Sequence, residues 1–222
     1  MILVTGATGF VGRSVVRALR VADRPVRCLV REPGKAETLR AWGCELARGG
    51  MADAASLRDA TDGCDAVVHL VAILTGRPSD FERVMVAGTR ALVEAARGAG
   101  VRRIVLMGSL GFDAPGAERV PYFAAKRAME EAVRASGIGY AILRPSFVFG
   151  SEGGALPRFG RIVRYSPVIP VPGSGTQRVE PIWCDDVARA VSLALDLEEN
   201  VEVELGGPET LTWNELWQRI AQ

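Results

Sequence analysis

Two side chains four residues apart, Tyr122 and Lys126 in the stretch YFAAK, carry the most readable chemistry of this chain. On a helix that spacing places them on one face, a turn apart. An ammonium beside a phenol favours the phenolate and lowers its pKa from about 10 toward neutral pH. Such a tyrosine can give or take the proton on a carbinol oxygen while a hydride moves at the adjacent carbon. Ser109, in MGSLG after the apolar run RIVLM, stands where the carboxyl end of a strand would offer a hydroxyl to the same oxygen. Ser109, Tyr122 and Lys126 are the expected catalytic set.

A second pattern opens the chain, MILVTGATGFVGRSVV. Gly6, Gly9 and Gly12 follow an apolar strand and lead into an apolar-periodic helix, the arrangement that seats a dinucleotide pyrophosphate on a helix N-terminus. Gly6 would permit the tight turn, Gly9 the approach of backbone to phosphate, and Gly12 the close packing of helix on strand. The turn from Thr5 through Thr8, Phe10 and Val11 to Gly12 is the expected cofactor cradle. The strand VRCLV then ends in Arg31-Glu32, with Lys35 close behind. A guanidinium can grip a ribose 2′-phosphate bidentately, whereas a carboxylate would repel it. NADP(H) is favoured over NAD(H) on Arg31, the alternative being two solvated loop charges.

These residues need elements to hold them. Apolar runs suited to buried parallel strands fall at 2–5, 26–30, 66–70, 104–107 and 140–143, with a weaker one at 44–47. Helical stretches lie between, at 11–22, 35–42, 54–61, 81–98 and 122–136. The alternation predicts an α/β fold with a Rossmann-type doubly wound parallel sheet over 1–145. Residues 146–222, rich in Gly and Pro over 150–175, read as a small irregular substrate lid packed on that core. A short helix near 157–164, a helix at 185–197, a strand at 201–205 and a last helix at 214–221 complete the reading.

Composition narrows the function classes. A net charge of +1 over 222 residues gives no footprint for nucleic acid or anionic membrane. Neither a secretory leader nor an apolar run of transmembrane length is visible. Cys28, Cys44, Cys64 and Cys184 lie far apart with one histidine, so no metal site is expected and the cysteines read as buried hydrophobes in a reducing, cytoplasmic setting.

Taken together, TGATGFVG, DAVVHLVA, GTRALVEAA, YFAAK, LRPSFVFG, PIWCDDVA and GGPETLTWNEL resemble the short-chain dehydrogenase/reductase superfamily in its extended or atypical branch. Within it the chain is similar to NAD-dependent epimerase/dehydratase relatives, and most to those related to an accessory subunit of respiratory complex I. The resemblance implies that Leu70, Val71 and Ala72 pass along the cofactor, with Met107 nearby, and that His69 is structural. It also implies that Pro145, Ser146, Phe147 and Val148 lie near the nicotinamide, and that Asp186 caps a helix or ties down the lid.

Departures from the family pattern bear on turnover. Gly49-Gly50-Met51 stands where relatives carry a Gly-Asp pair, and Met85 where an asparagine is common. A chain ending at Gln222 is expected to lack a C-terminal part of the pocket. Two readings follow: an NAD(P)-dependent oxidoreductase working through Ser109, Tyr122 and Lys126, or a non-catalytic NADP(H)-binding assembly or regulatory module. A sugar-nucleotide epimerase or dehydratase is a further alternative, with Arg178 as the diphosphate ligand. Phe149, Trp183 and Phe159, with Phe147, could line a pocket for a hydrophobic carbonyl or quinone-like small molecule. Oligomeric state is open.

Overall fold

A computed structural model describes residues 1–112, 116–151, 153–154, 156–166, 168–169, 171 and 173–221. Strand β1 (Ile2–Thr5) leads into helix α1 (Phe10–Val21), and β2 (Val26–Val30), α2 (Glu37–Ala41), β3 (Glu45–Arg48) and α3 (Ala54–Thr61) follow. Next come β4 (Ala66–His69), α4 (Pro78–Phe81), α5 (Gly88–Gly98), β5 (Arg103–Met107), α6 (Pro121–Arg134) and β6 (Gly139–Pro145). The remainder holds the short strands β7 (Val148–Gly150) and β8 (Gly153–Gly154), α7 (Leu156–Tyr165), β9 (Arg178–Val179), β10 (Ile182–Trp183), α8 (Cys184–Ala194), β11 (Val201–Leu205), β12 (Leu211–Thr212) and α9 (Trp213–Ile220).

Seven strands form one sheet in the order β11-β6-β5-β4-β1-β2-β3, every pair parallel. The order reverses beside β1, which places the crevice for a ligand at the carboxyl ends of β1 and β4. Alternate residues of each strand feed two cores, as the period of two requires. Ile2, Val4, Cys28 and Val30 pack on the α1 and α8 side. Leu3, Leu29, Val67 and Ile104 pack against α3, α5 and α6. All four cysteines are buried and reduced.

Two helices differ from expectation. The stretch 35–42 is interrupted: Pro33–Lys35 makes a 3-10 turn, and Ala36 at φ −115° separates it from α2. The long helix begins earlier, at Pro78, and widens to π geometry over Glu82–Ala87 before continuing as α5. β11 and α8 join the main layers rather than the lid, pairing with β6 and packing on α1. Among the described residues, no helix is long and apolar enough to cross a membrane, and no group of side chains could hold a metal ion.

Candidate functional site

The glycine turn is built by steric exclusion. Gly6 has φ +76°, a conformation costly for other residues, and a Cβ there would lie 3.1 Å from the Leu70 carbonyl carbon and the Val71 nitrogen. A Cβ at Gly12 would fall 2.1 Å from the Gly6 oxygen, so α1 packs on its own entry turn only without a side chain. Gly9 is the N-cap of α1 and donates its N–H to Gly6 at 3.0 Å. The exposed N–H groups and positive end of this twelve-residue helix thus face the crevice, as a pyrophosphate requires. Thr8 is exposed, Val11 packs on the α1-side core, and Thr5 is buried, its hydroxyl 2.6 Å from His69 Nδ1. The Phe10 ring lies under the β7–β8 hairpin, where a Cβ at Gly154 would sit 2.8 Å from it. Leu70 and Val71 are half-buried and Ala72 is exposed.

At the end of β2 the two charges part company. Glu32 pairs with Lys35 at 2.8 Å, which draws its carboxyl below the usual range. Arg31 is exposed, makes no ion pair among the described residues, and runs its stem beside Gly50, where a Cβ would lie 3.5 Å from its Cγ. Met51, next to it, is buried against Gly88.

Ser109, Tyr122 and Lys126 come together at the carboxyl end of β5. Pro121 opens α6 at a position where its missing N–H costs nothing, and the helix aims Tyr122 and Lys126 back at that strand end. Lys126 is 2% exposed and donates from Nζ to the Met107 carbonyl at 2.5 Å, with the Tyr122 ring centroid 5.8 Å away. The phenol departs from expectation. Burial pushes it up, a hydrogen bond with Ser109 draws it back, and the Lys126 charge, engaged by Met107, is not among the causes. Burial also drives Lys126 down to about 8, with Glu130 opposing.

His69 holds the middle. Its two ring nitrogens are bonded to Thr5 and, at 2.9 Å, to Thr89, and burial with the neighbouring Lys126 charge lowers it to about 3. Thr89 in turn donates to the Met85 carbonyl in the π-widened turn, while the Met85 side chain is fully buried.

The candidates beyond Pro145 divide into two groups. Pro145 is buried at the end of β6; Ser146 donates its N–H to Leu205 at 2.8 Å and accepts from the Glu180 N–H. Phe147 stacks on Phe159 at 5.6 Å and meets Trp213 edge-on. Phe149 instead pairs with Trp183, on β7 and β10, with Val148 between the two phenylalanines in β7. Arg178 lies exposed on β9 opposite Thr212. Asp185, rather than Asp186, ties α8 down, through Arg17 at 3.1 Å.

Sequence reasoning did not single out Glu130, Thr89, Trp213 or Trp217. Glu130 lies one further turn along the Tyr122–Lys126 face, a spacing that could have flagged it. Trp217 is buried against Phe159 with its indole N–H unpaired among the described residues.

A glycine cradle closed to a Cβ at Gly12, a strand-end serine and a Tyr–Lys helix face on a reversed parallel sheet define a dinucleotide-binding α/β protein. The chain belongs to the NAD(P)H-binding family, whose sequence profile matches residues 6–159. It is 33% identical over 227 residues to a ceramide reductase of Caulobacter vibrioides, covering 100% of this chain and 69% of that one. It is 40% identical over 112 residues to sterol demethylase protein B of Methylococcus capsulatus, there covering 49% of this chain and 34% of the relative. The chain thus spans only about a third of that relative's length, as of several others. In structure it is similar to MoeE5 in complex with UDP-glucose and NAD, with TM-score 0.83, 27% identity, and 99% and 80% of the two chains covered.

Proposed function

We propose that this chain is an NADP(H)-dependent oxidoreductase of the short-chain dehydrogenase/reductase type, reducing a carbonyl on an apolar small molecule. The observation that carries it is Tyr122 and Lys126 one turn apart on α6, with the Lys126 ammonium on the Met107 carbonyl at the strand end that carries Ser109, on the same side of the sheet as the Gly6–Gly12 cradle. A nicotinamide dinucleotide, when bound, supplies the hydride. The chain's own residues do the rest. Ser109 orients the substrate oxygen, Tyr122 delivers its phenolic proton to that oxygen, and Lys126 adds positive charge beside the phenol as it becomes a phenolate. Arg31, beside Gly50 and in no ion pair among the described residues, would hold a 2′-phosphate, while Glu32 is occupied by Lys35. The ceramide reductase similarity and the aromatic Phe147–Phe159–Trp213 wall support an apolar substrate.

The test is NADPH oxidation by purified protein against menadione and a long-chain 3-ketone, with Tyr122→Phe alongside. Turnover that vanishes in the variant while NADPH still binds supports the reading; equal turnover refutes it. A second reading, a cofactor-binding module without turnover, draws on Met85, whose buried apolar side chain supplies no amide to the site.

A further inference from the structure

Lysine is nearly absent from this chain. Of its 27 Lys and Arg residues, only Lys35 and Lys126 are lysine. Lys35 is exposed and paired with Glu32. Lys126 is buried at the heart of the site. A guanidinium stays charged in proteins and presents a wide planar fork, whereas an ammonium is compact and can titrate. Position 126 therefore holds the one buried cation of this molecule whose charge depends on its surroundings.

Those surroundings are few. The Met107 carbonyl faces Lys126 from β5, and the Tyr122 ring from one turn earlier on α6. His69, from the end of β4, is kept neutral by burial. Glu130, one turn later on α6, is the carboxylate that acts on it. Glu130 is itself 0% exposed, and the strand end beside Ser109 is built against it: a Cβ at Gly108 would lie 2.6 Å from its Oε1. A bare carboxylate is costly to bury, and this one is not bare. Arg144 donates to it from Nε at 3.0 Å and Nη2 at 2.7 Å, and Arg134 from Nη2 at 2.9 Å. Glu202 of β11 bridges both arginines, so two acids and two bases close a ring.

We propose that Glu130 is the positioning residue of this site: anchored by Arg134 and Arg144, its buried carboxylate keeps Lys126 charged and in place beside Tyr122. Burial favours the neutral amine, and the carboxylate one turn away opposes it. The ring also gives the catalytic helix a fixed depth, because Arg144 of β6 holds Glu130 and Glu202 of β11 holds both arginines. The catalytic meaning of this assignment rests on the Tyr122–Lys126 reading above; the electrostatic assignment stands apart from it.

The scarcity of lysine makes a direct test available. Lys35→Arg leaves Lys126 as the sole lysine, so protein carrying carbon-labelled lysine shows one side-chain ammonium signal whose pH titration NMR can follow. In that background the Lys126 midpoint is expected near 8. Glu130→Gln should lower it by about one pH unit or more, a tenfold loss of proton affinity. Glu202→Gln, which breaks the same ring away from Lys126, should lower thermal stability and leave the midpoint in place. Should Glu130→Gln fail to fold, Glu130→Asp, which keeps the charge but draws it back by one methylene, should still lower the midpoint. A midpoint unchanged in the Glu130 variants overturns the proposal, and so does an equal shift in Glu202→Gln. Retained turnover in Tyr122→Phe would sink the proposed function while leaving this titration readable.

Discussion

The two halves of the candidate site hold themselves together by opposite means. Around Gly6, Gly9 and Gly12 the contacts are backbone against backbone, tight for a methyl group at Gly6 and Gly9 and closed to one at Gly12. Around Lys126 the contacts are charges, matched in the ring of Glu130, Arg134, Arg144 and Glu202, which is buried at Glu130 and reaches solvent at Arg134 and Glu202. A steric half is indifferent to salt and pH but intolerant of any added carbon. An electrostatic half accepts changes of volume at its rim but not a change of charge at its centre.

The largest effect tests the steric half. Gly12→Val would drive a side chain into the Gly6 oxygen, so dinucleotide binding should be lost in calorimetry and stability should fall by about 3 kcal/mol or more. Gly34→Ala, where an added Cβ meets nothing within 4 Å, should change neither. Equal losses in the two variants would erase the contrast.

Next comes the electrostatic half. Tyr122→Phe should lower turnover by roughly a hundredfold to ten-thousandfold while NADPH affinity is retained, measured by rates and titration together. Arg31→Asp should then weaken NADPH by about 1.5–3 kcal/mol and spare NADH, since one charge-assisted contact to a phosphate is removed. If both dinucleotides weaken alike, Arg31 serves the loop and not the 2′-phosphate.

The smallest effect comes from His69, which sits at the seam, bonded to Thr5 on one side and Thr89 on the other. In the unfolded chain the ring takes a proton at its ordinary 6.5; in the folded protein it does so only at about 3. The unfolded state therefore binds more protons as pH falls through 6.5, and stability declines from there downward. Glu202, lowered from 4.5 to about 2 mainly by its hydrogen bond with Arg134, adds its own loss only below 4.5. Urea midpoints should thus fall between pH 6.5 and 4.5 in the wild type and stay level in His69→Asn. A slope that survives the substitution would move the pH sensitivity elsewhere.

The same contrast explains what could be read in the primary structure. The order of β1 through β6 and the turn at Gly6 rest on local signals, apolar runs and glycine spacing, and all lie where those signals place them. Helix interruption at Ala36 and π widening at Glu82–Ala87 were hidden, because one extra residue in a turn barely changes the apolar pattern. The pairs β9–β12 and β7–β10 were hidden for another reason: each joins strands of two or three residues far apart in the chain. In the site, Tyr122, Lys126 and Ser109 were visible as a motif. The charge relations among them were not, since the Met107 carbonyl, Glu130 and Arg144 converge on that motif only in three dimensions.

Phe10, held beneath Gly150, Gly153 and Gly154, has a temporal consequence. This turn is finished only once its cover has been synthesised, after the whole of β1–β6. Contacts this distant in sequence form late and slowly. A nascent chain halted before residue 150 would carry every glycine of the cradle with nothing over the Phe10 ring. Dinucleotide supplied during refolding should therefore speed the final closing step more than the formation of the sheet.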